Sequence, residues 1–146
     1  AGANKWLVHH QGGGWCQSLN CTEEPCPGDS CYVRSGGALG STKHDRSMMV
    51  LKGSYFDLDP VKNPTFYDWN MVFLRYCDGG SFSGARANPV QVGDRLLHFR
   101  GFALLNAMID DVLQNRGMGE ASDVVISGCS AGGLAAYLHV DHWADR

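Results

Sequence analysis

The sequence has 146 residues, 44% hydrophobic and 18% charged, which suffices for one domain with a core, or for part of one. Its formal charge of −3 offers no basic patch, so neither nucleic acid nor an anionic membrane surface is expected as a partner. No apolar run approaches the roughly 20 residues that span a bilayer, and these 146 residues hold no stretch with the charged start and apolar middle of a signal peptide.

The chain opens at Ala1-Gly2-Ala3-Asn4 without Met, and the expectation is that an upstream part has been removed or left out. Trp6-Leu7-Val8-His9-His10 is a short apolar run that ends at Gln11-Gly12-Gly13-Gly14, which predicts a buried strand stopped by a glycine loop. From Trp15 to Gly40 there is no periodicity, while Gly, Ser, Pro and Cys dominate, so a loop ordered by cross-links is expected. Asp57 to Pro64 is punctuated as turn. Met71 to Tyr76 is a second predicted strand, and Asp123 to Ser127 a third. Between them Leu105, Met108, Ile109, Val112 and Leu113 follow the spacing of an amphipathic helix, with Gly117 where a C-terminal cap falls. Near-continuous apolar strands alternating with helices predict a mainly parallel sheet covered on both faces, hence an α/β class.

Six cysteines are many for a cytosolic domain, and Cys16, Cys21, Cys26 and Cys31 recur at intervals of five. Disulfides in an oxidising compartment are one reading. The spacing meets only the wide edge of the structural zinc pattern, and free thiols are the third alternative. Asn20-Cys21-Thr22 is a glycosylation acceptor and makes Asn20 a candidate site.

Gly128-Cys129-Ser130-Ala131-Gly132 matches the G-x-S-x-G nucleophile elbow. It follows the strand at Val124–Ser127 and precedes the helix-forming Leu134–Leu138, so Ser130 falls on a tight strand-to-helix turn that would thrust its hydroxyl out at the end of the sheet. A plain glycine turn is the alternative. The first turn of the following helix points unpaired N–H groups at any oxyanion formed there. Gly12-Gly13-Gly14 resembles the glycine-rich oxyanion loop of esterases, and together with the amide of Ala131 it would complete the hole.

A serine nucleophile needs an imidazole held by a carboxylate. After Ser130 the sequence offers only His139, Asp141, His142 and Asp145, all on or just past the elbow helix. His139 would stand about 13 Å along the axis from the serine. His9, His10, His44 and His98 precede the serine, against the order Ser, acid, His, and read as strand-end or surface groups. Either the acid and base lie beyond residue 146, or the chain is not such an enzyme.

The motifs Trp6-Leu7-Val8-His9, Gln11-Gly12-Gly13-Gly14-Trp15-Cys16, Arg75-Tyr76-Cys77-Asp78-Gly79, Leu97-His98-Phe99-Arg100-Gly101 and Ser127-Gly128-Cys129-Ser130-Ala131-Gly132-Gly133 run in one order through the chain. With them the sequence resembles the plant-type pectin acetylesterases and, more distantly, the Notum carboxylesterases of the same family. The resemblance implies a partial α/β-hydrolase-like fold, with residues 1–146 forming part of one catalytic domain cut before its acid and base. It further implies a secreted or cell-wall monomer acting on acetylated pectin, with no metal or cofactor. Its nucleophile maps to Ser130 and its oxyanion donors to Gly13, Gly14 and Ala131. It also suggests pairing Cys16 with Cys77, while Cys26 and Cys31, additional to the family pattern, stand as candidates for a second pair. Cys129 reads as a small buried residue beside the serine. Two alternatives remain: a Notum-like fatty-acyl protein esterase, and a non-catalytic secreted polysaccharide-binding module without a general base.

Overall fold

The computed structural model describes residues 4–20, 30–43, 45–48, 50–51 and 53–146. Strand β1 (Lys5–His10) lies at the centre of a three-stranded parallel sheet, with β2 (Asn70–Leu74) on one side and β5 (Asp123–Gly128) on the other. Five of the six β1 residues are buried, as expected of a strand covered on both faces.

The chain moves from β1 to β2 by a long connection, then crosses back over β1 to β5 through helix α2 (Gly101–Asn115). Right-handed crossovers in opposite directions run on opposite faces. Accordingly, Tyr55 and Phe56 of the first connection pack their rings on His9, whereas Trp143 of helix α3 (Ala131–Ala144) meets His10 on the other face. Leu105, Ile109 and Val112 of α2 join Trp6, Val8, Leu74, Ala131, Ala135 and Trp143 in one core cluster. Helix α2 ends as its sequence predicts, with Gly117 in the left-handed conformation at φ 90° just past its cap Arg116.

Two features were not legible in the pattern. Residues 15–40, expected as loop, contain the five-residue helix α1 (Cys31–Ser35), capped by the Ser30 side chain accepting from the Val33 amide. An antiparallel hairpin of β3 (Val90–Val92) and β4 (Arg95–Leu97) turns through Gly93 at φ 56°. Val92, Leu97 and Cys31 form a small second core against α1.

The cysteine pairings are corrected. Cys16 is bonded to Cys31, and Cys77 is a free thiol, so neither Cys16–Cys77 nor Cys26–Cys31 occurs. The reason is local: an isolated bridge joins Ser18 to Ser30, and the Cys31 amide donates to the Ser18 carbonyl at 2.7 Å, which brings the start of α1 beside Cys16. Cys77 lines the same cavity of about 490 Å³ as Cys16 and Cys31, with burial pushing its thiol pKa up. Cys21, Cys26 and His44 lie outside the described residues.

Candidate active site

In the register of the parallel sheet His10 stands opposite Gly128, so the two connections leaving β1 and β5 begin side by side at the carboxyl end of the sheet. They leave on opposite faces of the sheet, the first packing on His9 and α3 on His10, and a crevice between such connections is where open α/β sheets bind ligands. The glycine loop and the Ser130 turn are therefore adjacent despite more than a hundred intervening residues. A Cβ added to Gly12 would lie 2.2 Å from the Cys129 carbonyl oxygen and 3.2 Å from Ser130 Cβ, so only glycine permits this approach.

The turn itself is strained. Ser130 has φ 55° and ψ −125°, a conformation that L-residues rarely adopt, and it is exposed at the mouth of the sheet. Its flanking glycines are dictated by contact. A Cβ on Gly128 would stand 2.0 Å from the Gly132 carbonyl oxygen, and one on Gly132 would stand 2.0 Å from that of His10. Helix α3 starts at Ala131, with the Leu134 amide donating to the Ser130 carbonyl at 3.1 Å. Cys129, expected to be buried beside the serine, is instead exposed, because it stands at the sheet end with its carbonyl turned to Gly12.

The histidines sort themselves by hydrogen bonding. His10 is fully buried; its Nδ1–H donates to the Ser127 carbonyl at 3.0 Å and its Nε2 accepts from Trp143 Nε1–H at 3.3 Å. Burial first, and the neighbouring His139 and His9, hold its pKa at about 4, against the opposing hydrogen bond to Ser127. It is thus a neutral core group at neutral pH. His9 is also buried, in contact with Ser127 Oγ and the Tyr55 hydroxyl, and desolvation lowers its pKa. His139 is buried on α3 and its Nε2–H donates to the Ser81 carbonyl at 3.1 Å. His98 is exposed.

Three residues that carried no role in the sequence reading surround the glycine loop. Arg34 Nη1 donates to the Gly13 carbonyl at 2.7 Å. The Tyr76 hydroxyl donates to the Gly14 carbonyl at 2.9 Å and accepts the Ser81 amide at 3.1 Å. Ser81 Oγ accepts Trp15 Nε1–H and donates to the Ala131 carbonyl, both at 2.8 Å. Asp78 folds this segment by accepting the amides of Gly80, Phe82 and Gly84. Tyr76 and Asp78 stood in a visible motif; Arg34, 20 residues beyond the glycines, had no local signal. Asn20 is exposed, and among the described residues no cluster of three or more metal-ligating side chains occurs.

A parallel sheet whose adjacent strand ends carry a glycine loop and a strained serine turn is the framework of the α/β-hydrolase class. Residues 1–146 match the family model described as Pectinacetylesterase, and the chain belongs to that family. It is 40% identical to pectin acetylesterase 5 of Arabidopsis thaliana over all 146 residues, which are 31% of that protein. It is 29% identical to the palmitoleoyl-protein carboxylesterase NOTUM of Schmidtea mediterranea over 99% of its length and 25% of that protein. The solved structure of the Wnt deacylase Notum from Drosophila superposes with a TM-score of 0.76 at 27% identity, covering 98% of this chain and 39% of that one. The chain thus spans about a third of the length of the curated pectin acetylesterases it matches.

Proposed function

We propose that residues 1–146 are the leading part of the catalytic domain of a secreted serine carboxylic ester hydrolase that removes O-acetyl groups from pectin. Ser130 would attack the acetyl carbonyl, and the amides of Gly13, Gly14 and Ala131 would receive the negative charge that develops on its oxygen. The bond to the sugar oxygen would break, the sugar leaving as an alcohol with the proton taken from Ser130, and water would then hydrolyse the acyl-enzyme to release acetate. The acid and base would be supplied from beyond Arg146, since His10 and His139 are committed to the core. The observation that carries the reading is the junction of the glycine loop with the strained Ser130 turn across the β1–β5 pair.

Acetyl rather than fatty-acyl substrate is favoured by identities of 36–40% to pectin acetylesterases against 28–30% to the carboxylesterases NOTUM and notum1. The Cys16–Cys31 bond supports export to an oxidising compartment.

The test is hydrolysis of acetylated pectin and of 4-nitrophenyl acetate by the full-length protein beside its Ser130→Ala variant. The variant is expected to lose at least about 10⁴-fold in kcat. Undiminished turnover would remove Ser130 from the reaction, and preference for long acyl chains would move the substrate to the fatty-acyl class.

A further inference from the structure

We propose that Arg34 is a positioning residue that holds the oxyanion loop in its productive orientation, an inference that rests on the reading of Ser130 and the glycine loop above. A peptide unit is planar and trans, so the carbonyl of one residue and the amide N–H of the next point in opposite directions. Whatever fixes the Gly13 carbonyl therefore fixes the direction of the Gly14 N–H. Gly13 and Gly14 have φ values of 133° and 67°, and among the described residues nothing lies within 4 Å of where a Gly14 Cβ would be. Two consecutive glycines let the intervening peptide rotate with little steric resistance. A flipped peptide would present a carbonyl oxygen to a developing oxyanion in place of a donor, and the hole would be lost.

Arg34 opposes that rotation. Its Nη1 reaches the Gly13 carbonyl at 2.7 Å, the length of a charge-assisted hydrogen bond. The guanidinium is held in turn over the Tyr76 ring, 4.9 Å from the centroid, and its Nε and Nη2 are shielded from solvent with no hydrogen-bond partner among the described residues. The same Tyr76 holds the next carbonyl, that of Gly14, at 2.9 Å. One stacked pair thus fixes two successive peptide planes of the loop. Arg34 comes from α1, which the Cys16–Cys31 bond ties to the strand-exit loop, so the clamp is anchored two residues beyond the glycines it holds.

The experiment is steady-state kinetics of the full-length protein on 4-nitrophenyl acetate, with Arg34→Met, Arg34→Lys and Tyr76→Phe, and inhibition of each by a trifluoromethyl ketone that forms a tetrahedral oxyanion adduct. Arg34→Met is expected to lower kcat by roughly 10- to 100-fold with KM within a factor of two, and to weaken the ketone by a similar factor. Arg34→Lys, which keeps a charged donor, should recover most of both losses. Tyr76→Phe should lower kcat in the same sense. A folded Arg34→Met with unchanged kcat and ketone affinity would overturn the assignment. So would a lysine variant as impaired as the methionine one, or a rise in KM that accounts for the whole loss. If instead Ser130→Ala retains the wild-type rate, the failure lies with the reading of the site and not with Arg34.

Discussion

Ser130 and His10 are each held in a state that costs free energy when taken alone, and the surrounding structure decides it. A serine at φ 55° carries backbone strain of about 1–3 kcal/mol, sustained here because Gly128 and Gly132 admit close backbone contact on both sides. His10 is held neutral, with a pKa of about 4 against an ordinary 6.5. Between these values the unfolded chain binds a proton that the folded one refuses. Stability from this group is therefore complete above about pH 6.5 and falls as the pH drops towards 4, by on the order of 3 kcal/mol in all. Desolvated His9 acts in the same direction. Thermal unfolding from pH 7 to 4.5 should show a falling melting temperature, with a shallower slope in His10→Gln. Equal slopes in both proteins would mean that another group sets the dependence.

At the scale of elements, helix α1 and the strand-exit loop at residues 15–20 depend on their cross-link more than on a core of their own. Among the described residues, only Cys31, Val92 and Leu97 are buried in the small cluster that α1 shares with the hairpin. The Cys16–Cys31 bond closes a separation of 15 residues, and for a loop of that length the chain-entropy account gives about 3 kcal/mol. The paired variant Cys16→Ser/Cys31→Ser should lose about that much in denaturant unfolding. A loss below about 1 kcal/mol would show that the Ser18–Ser30 bridge and the Ser30 cap suffice to order α1. Arg75 belongs at this scale too. Its guanidinium forms a bidentate pair with Asp45 at 2.7 Å and donates to the Ala38 carbonyl, tying the long connection to the end of β2.

For the molecule as a whole, helix α3 is apolar on both sides. Ala131, Ala135 and Trp143 face the sheet, while Leu134, Tyr137, Leu138 and Val140 are 41–81% exposed. Val124 at the β5 edge is 43% exposed as well. A helix apolar all round is ordinarily an interior one, and an uncovered edge strand is a template for pairing. Residues 1–146 expressed by themselves are therefore expected to bind the dye ANS and to associate beyond the monomer in size-exclusion chromatography. A monomer with no ANS signal would contradict the reading of α3 as an interior element of a larger domain.

The sequence by itself determined the three parallel strands, the long helix with its Gly117 stop, and the serine turn, because each is written in local periodicity or in glycines at fixed spacing. The expected Cys16–Cys77 pair failed because partner choice is set by which chain segments meet, here through Ser18 and Ser30. The same holds for the clamp of Arg34 and Tyr76, and for the burial that silences His10. These are long-range contacts, and only the tertiary structure brings their residues together.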